Sequence, residues 1–254
     1  MSRQALVIDA GVGNLGNLVR ALEHVGGQDG VTAEITADPA RVAAGRCLFL
    51  PGVGAFAPPR EALRGAMEEA IRSALESGAF LLGICVGYQI LFESGEEFQP
   101  LDGLGLLPGK VTRLPQDVQV PHIGWNRLHD LAAHPLVAGL GAMASSVGEG
   151  LAPSRVGGKV LSSPPAPPPA REGASPSPTF QLAGEYVYFV HSYAPEGVPD
   201  DLCIARCTHG RVFPAVAGRG RVMGTQFHPE RSGEAGLRLL ANFLEMADGS
   251  AAGH

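Results

Sequence analysis

Two short stretches of this 254-residue chain carry residue types suited to nucleophilic chemistry. In Gly83-Ile84-Cys85-Val86-Gly87 a cysteine stands between glycines, just after the apolar run Phe80-Leu81-Leu82. This spacing matches the elbow that holds a nucleophile in a strained turn between a strand and a helix, a turn the flanking glycines make sterically possible. Such an elbow exposes the sulfur above a sheet and aims the first amides of the helix at the position of a developing oxyanion, with the N–H of Val86 the natural donor. A helix N-terminus also favours thiolate over thiol. In the second stretch, Gln226-Phe227-His228-Pro229-Glu230, an apolar run ends in a histidine and, two residues on, a carboxylate. A strand's period of two predicts that both side chains lie on one side of the chain. His228 would then take the thiol proton and later return it to a leaving amine, while Glu230 would hold the other ring nitrogen and so fix the tautomer.

Each stretch alone has an ordinary reading: Cys85 as a core or turn residue, His228 as a buried hydrogen-bonded histidine, Glu230 as an exposed loop carboxylate. Their joint occurrence at strand ends of one α/β chain favours chemistry, because that is where such folds place ligands. A second glycine turn, Pro51-Gly52-Val53-Gly54, follows the run 47–50. It would offer a second oxyanion donor, the N–H of Val53; taken by itself it is a tight turn.

The elements that must position these residues are legible as alternating strands and helices. Residues 5–9 are short, apolar and β-branched, as in a strand buried on both faces. Leu15, Leu18, Val19, Leu22 and Val25 make a helical stripe that Gly26-Gly27 ends. Strands are predicted at 31–35, at 47–50 with a stop at Pro51-Gly52, and at 80–82. Helices are predicted at 61–77 and 88–92. The fold class that follows is α/β, a doubly wound and mostly parallel sheet with helices on both faces. Beyond Leu104 short strand-like runs, including 185–190 and 221–227, predict an antiparallel or mixed extension. A final amphipathic helix over 237–246 has Ser232 as its expected cap. Between about 141 and 183 the chain turns small, polar and proline-rich (SSPPAPPPAREGASPSPTF). Such a segment cannot bury enough surface to offset its ordering entropy, so a solvated, partly polyproline-like insertion is expected. It interrupts a single domain spanning 1–254, since chemistry-bearing residues lie on both sides of it.

Composition narrows the function classes. A formal charge of −6 and a pI near 5.7 give no general electrostatic reason to bind nucleic acid or an anionic membrane. The apolar run before Asp9 is too short for a signal-peptide core or a membrane span, so a cytoplasmic location is expected. Of the four cysteines only Cys203 and Cys207 are close in sequence, and no second Cys/His pair has metal-finger spacing, so no metal is expected; Cys47, Cys203 and Cys207 read as reduced and structural.

The motifs Gly83-x-Cys85-x-Gly87-x-Gln89 and His228-Pro229-Glu230 resemble those of class I glutamine amidotransferases. More narrowly, Gly13-Asn14-Leu15, Pro51-Gly52-Val53-Gly54-Ala55-Phe56, Pro121-His122-Ile123-Gly124-Trp125-Asn126 and Tyr188-Phe189-Val190-His191-Ser192-Tyr193 make the chain similar to the glutaminase subunits of imidazole glycerol phosphate synthases. The resemblance covers essentially everything outside the insertion. It implies hydrolysis of L-glutamine through a thioester at Cys85, with Cys85, His228 and Glu230 as the catalytic set and no cofactor. It implies that the ammonia passes to a (β/α)8-barrel cyclase subunit, which makes imidazole glycerol phosphate and an aminoimidazole carboxamide ribotide in histidine biosynthesis. By the same resemblance Gln89, Glu97, His191, Ser192 and Tyr193 hold the glutamine, Gly52 lies near its reacting amide, and Pro121, His122 and Trp125 face the cyclase. Asp9-Ala10-Gly11 stands where the family usually has Asp-Tyr-Gly, and Tyr88 replaces a common Met.

Other readings compete. Gly11-Val12-Gly13-Asn14-Leu15-Gly16 matches a dinucleotide-binding pattern, with Asp38 or Glu34 as the ribose acid, but leaves the Cys, His and Glu turns without a purpose. A catalytically silent scaffold would keep the fold without thioester chemistry. A glutaminase serving another ammonia acceptor, of pyridoxal-phosphate or anthranilate type, is a further alternative that the Trp125 block argues against.

Overall fold

The computed structural model describes residues 3–27, 30–140 and 185–249, so the insertion expected at 141–183 lies outside the described residues. The first half alternates as its hydrophobic pattern requires. Strands β1 (Arg3–Ile8), β2 (Val31–Thr36), β3 (Cys47–Gly52) and β4 (Phe80–Cys85) alternate with helices α1 (Leu15–Gly26), α2 (Pro39–Ala43), α3 (Ala57–Ala62) and α4 (Ala66–Glu76). A short helix, α5 (Val86–Ile90), follows β4 without a break. β3 and β4 are buried at every position, as strands covered on both faces must be.

The second half is built from β5 (Ser94–Gly95), β6 (Leu101–Asp102), β7 (Lys110–Arg113), β8 (His122–Arg127), β9 (Tyr186–His191), β10 (Tyr193–Glu196), β11 (Cys203–His209), β12 (Arg211–Arg219) and β13 (Val222–Thr225), closed by α6 (Gly233–Gly249). The main sheet has seven strands in the order β11-β12-β13-β4-β3-β1-β2. It is parallel from β13 to β2 and antiparallel through β11 and β12. This is the expected doubly wound sheet with its antiparallel extension. α1 packs against α6 and α2 against α4, so separate helix pairs cover the sheet. A four-stranded sheet, β10-β7-β5-β6, and the antiparallel pair β8-β9 stand apart from it.

Several boundaries differ from the sequence reading, each for a local reason. β3 does not stop at Pro51-Gly52: the parallel ladder carries on, setting Pro51 opposite Ile84 and Gly52 opposite Cys85. The predicted helix over 61–77 is two helices, because Gly65 takes φ +74°, a backbone that breaks the helix and that glycine adopts without steric cost. α2 was not anticipated; Pro39 opens it, and Asp38 caps it by accepting from the Ala40 N–H at 2.9 Å. α5 starts at Val86, two residues before the apolar run 88–92. Ser232 does not cap α6 with its side chain: the hydroxyl donates to the His228 carbonyl at 2.7 Å and accepts from the Tyr188 N–H at 2.9 Å.

Backbone packs tightly under the elbow. A Cβ at Gly87 would fall 1.7 Å from the Leu50 carbonyl oxygen, and one at Gly52 would fall 2.8 Å from the Gly87 nitrogen. Backbone cannot yield as a flexible side chain does. Gly87→Ala is therefore expected to cost at least about 3 kcal/mol, the range of severe overpacking; urea unfolding followed by circular dichroism measures it.

Candidate active site

β4 delivers Cys85 into the turn with φ 54° and ψ −109°, a conformation that non-glycine residues rarely hold without surrounding support. The elbow expected from the glycine spacing is present, and α5 begins at the next residue. β13 runs parallel to β4 with Thr225 opposite Ile84, so the chain leaving β13 brings Gln226 and His228 alongside Cys85. His228 is extended, at φ −94° and ψ 99°, and its N–H donates to the Tyr188 carbonyl at 3.1 Å. Glu230 is not reached by strand alternation. Pro229 starts a 3-10 turn over Pro229–Arg231, and the turn curls the carboxylate back until Oε1 meets His228 Nδ1 at 2.9 Å. Both side chains are buried.

The polar atoms around the sulfur are specific. Cys85 Sγ donates to the Val190 carbonyl and accepts from Gln226 Nε2, each at 3.9 Å. Among the described residues, His228 Nε2 and Glu230 Oε2 have no hydrogen-bond partner. Burial alone would lower the pKa of His228, but its charge and hydrogen-bond interactions, with the Cys85 sulfur first and with Glu230 second, outweigh it and push it up to about 10. Burial pushes Cys47 and Cys207 up to about 12, so of these cysteines neither is primed as a nucleophile.

A cavity of about 240 Å³ opens over the sulfur, and Val53, Val86, Gln89, Glu97, Pro121, His191, Ser192, Tyr193 and His228 line it together with Cys85. Gly52 lies beneath, in register with Cys85, where the missing side chain lets α5 approach. Gln89 Nε2 donates to the Tyr193 carbonyl at 2.8 Å and to Gln226 Oε1 at 3.1 Å. Glu97 accepts from the Phe56 N–H at 2.7 Å, which tethers the loop after β5 to the start of α3.

Behind the cavity runs a chain of imidazoles. His191 Nδ1 faces the Tyr193 carbonyl at 2.9 Å and must carry the proton, so its Nε2 accepts from His122 Nδ1, also at 2.9 Å. His122 Nε2 then accepts from Asn126 Nδ2 at 3.2 Å. Burial, with His209 adding to it, lowers His122 to about 4; burial likewise lowers His191 to about 3, against the opposing pull of the Tyr193 carbonyl. Both are neutral at physiological pH. His122 was expected to face a partner, but its ring lies inside, stacked between Phe189 and His209. Strand alternation turns its neighbour outward instead, leaving Ile123 58% exposed. Trp125 is half-buried, edge-on to Tyr188 at 6.0 Å, and Pro121 is exposed.

Of the residues the sequence left without a role, Gln226, Asn126 and His209 join these networks; the period and spacing of their stretches signal strands and nothing of their hydrogen bonds. Tyr88 fills the core, its hydroxyl donating to the Pro214 carbonyl at 3.3 Å. The acids proposed for a ribose are committed elsewhere: Glu34 to Arg41 and Gln4, Asp38 to the cap of α2. No helix among the described residues is long and apolar enough to cross a membrane.

The His228 shift has a testable sign. A folded pKa above the ordinary 6.5 stabilises the fold fully below about 6.5, and this contribution is lost as pH rises toward about 10. Cys85→Ala removes a main raising influence, so the imidazole titration followed by NMR moves down, and the alkaline loss of stability between those values shrinks.

The glutamine amidotransferase class-I family model matches residues 6–247. Proteins named imidazole glycerol phosphate synthase subunit HisH are similar along nearly the whole chain. That of Symbiobacterium thermophilum is 38% identical, covering 95% of this chain and 93% of its own length. That of Salinibacter ruber is 37% identical, covering 97% and 96%. A crystal structure of a glutamine amidotransferase superposes with a TM-score of 0.63 at 19% identity, covering 96% of this chain and 99% of that one. A glutamine amidotransferase from Thermotoga maritima gives 0.55 at 12%, covering 99% and 86%; likeness at such identities speaks to the fold alone. With this fold, a strained elbow cysteine and a histidine–carboxylate pair brought beside it, the chain belongs to the class I glutamine amidotransferases, among the HisH subunits of imidazole glycerol phosphate synthase.

Proposed function

We propose that Cys85, His228 and Glu230 form the catalytic set of a glutaminase acting on L-glutamine, and that the ammonia it releases feeds imidazole glycerol phosphate synthesis in histidine biosynthesis. The observation that carries this reading is the buried His228–Glu230 pair set beside an elbow cysteine at the floor of the cavity. The Cys85 thiolate attacks the side-chain amide carbon of glutamine; the C–S bond forms and the carbonyl electrons move to oxygen. The N–H groups of Val86 and Val53 receive that oxyanion. Imidazolium His228 protonates the amide nitrogen, the C–N bond breaks, and ammonia leaves a glutamyl thioester. Neutral His228 then takes a proton from water as the water oxygen adds to the thioester carbon. Collapse expels the Cys85 thiolate and leaves glutamate, whose carboxyl proton passes to solvent. Glu230 keeps Nε2 directed at the reacting atoms throughout.

Gln89, Glu97, Ser192 and Tyr193 hold the substrate in this reading. His191 has both ring nitrogens engaged, so its ring serves as wall and not as a hydrogen-bond donor. Pro121, Ile123 and Trp125 present the face on which a (β/α)8-barrel cyclase docks, and Val53 lines the cavity over the sulfur together with Pro121. The same reading makes 1–254 one domain interrupted by the insertion, and places it in the cytoplasm.

Glutamine turnover is expected to be low for the isolated chain and to rise at least about tenfold when the cyclase, loaded with its ribotide substrate, docks and orients the Val53 peptide. Cys85→Ala is expected to abolish turnover in both states. Full steady-state hydrolysis by the isolated chain rejects the coupling, and turnover by Cys85→Ala rejects the mechanism. Fluorescence of Trp125, the only tryptophan of the sequence, reports docking in the same titration.

A further inference from the structure

We propose that Gln226 is a positioning residue for the Cys85 sulfur, its side-chain amide holding the thiolate on the side from which His228 reaches it. The proposal rests on the glutaminase reading above. Gln226 is fully buried, and its carboxamide lies between Gln89 and Cys85. Its orientation is forced. Oε1 accepts from Gln89 Nε2, and Gln89 Nε2 is itself anchored on the Tyr193 carbonyl. A flipped amide would set two NH2 groups against each other, so Nε2 of Gln226 must point to the sulfur.

Beside His228, two of the sulfur's neighbours answer to different protonation states. As a thiol it gives its proton to the Val190 carbonyl; as a thiolate it accepts from Gln226. A hydrogen bond to an ionised acceptor is stronger than one to a neutral acceptor, so the amide favours the ion. Val190 belongs to β9 and Gln226 to the chain leaving β13, as does His228. Exchange of the carbonyl for the amide therefore moves the sulfur's partner from the β9 side to the His228 side. Because Gln89 lines the cavity as well, the amide that orders the sulfur is ordered by a residue of the substrate wall.

The test is Gln226→Met, which keeps an unbranched side chain of similar size and removes both the donor to the sulfur and the acceptor for Gln89, whose own bond to the Tyr193 carbonyl remains. Glutamine turnover of the complex with ribotide-loaded cyclase gives kcat and KM; iodoacetamide alkylation of Cys85, mapped by mass spectrometry at pH 7 and pH 10, reports the thiolate; thermal melting reports the fold. Expected are a kcat lower by about 10–100-fold with KM within about threefold, and alkylation slowed about tenfold at pH 7 but restored at pH 10, where solvent base supplies the thiolate. A role in packing alone would leave the ratio of the two alkylation rates at its wild-type value. Alkylation and kcat within about twofold of wild type in the folded variant overturn the proposal. If Gln226→Met fails to fold, Gln226→Leu, which likewise lacks the donor and adds no charge beside the sulfur, takes its place; alkylation at pH 7 slower than wild type and restored at pH 10 supports the proposal, and equal rates overturn it. Wild type and Cys85→Ala run alongside: a wild type without turnover beside the cyclase sinks the glutaminase reading, while the alkylation contrast still decides the role of Gln226.

Discussion

The site depends on how closely α5 lies against β3. With the Leu50 carbonyl 1.7 Å from where a Gly87 Cβ would stand, the helix after β4 rests on bare backbone, and the chain has one residue in which to turn from strand to helix. That residue is Cys85, held at φ 54°. A strained backbone of this kind costs on the order of 1–3 kcal/mol and persists only where its surroundings over-determine it. Here the surroundings are β3 and β4, buried at every position and paired in register up to Gly52 and Cys85. Burial of the central strands thus supports the strain, and the strain aims the sulfur at the cavity.

The second dependence is the parallel pairing of β13 with β4. It brings Gln226 and His228 beside a cysteine some 140 residues earlier, and the Pro229 turn folds Glu230 onto the imidazole. A buried ion pair repays its desolvation only with good geometry and further hydrogen bonds. His228 meets these terms through Glu230 and through its own backbone, which Tyr188 and Ser232 tie to β9. His228 also lines the cavity over the Cys85 sulfur.

The Tyr193 carbonyl joins the cavity wall to the strand pair beyond it. It accepts from both Gln89 and His191, and from His191 the imidazole chain continues to His122 and Asn126 on β8. Since burial holds both imidazoles neutral, the chain is a rigid, uncharged prop with each tautomer set by its neighbour. β8 also presents Ile123 and Trp125 outward and pairs with β9, placing Ile123 opposite Val190, whose carbonyl faces the sulfur. The exposed strand and the Cys85 sulfur are therefore separated by one ladder of backbone hydrogen bonds.

The sequence by itself determined the alternating fold, the elbow at Cys85 and the residue types of the Cys85, His228 and Glu230 cluster, because these are written in local periods and short spacings: buried strands read as apolar runs, α1 as a 3.6-residue stripe, and the turn as flanking glycines. The glycine turn after 47–50 also offered Val53 as a second donor, and resemblance placed Gln89 and His191 near the same site. Tertiary structure decided what local pattern cannot express. The 3-10 turn, and not strand alternation, pairs Glu230 with His228; the ladder to β4 carries β3 through Pro51-Gly52; stacking between Phe189 and His209 buries His122. Gln226 looked like one more strand residue. Its partners, Gln89 and Cys85, lie 137 and 141 positions away, and a hydrogen bond across that distance exists only once the sheet has set its strands side by side.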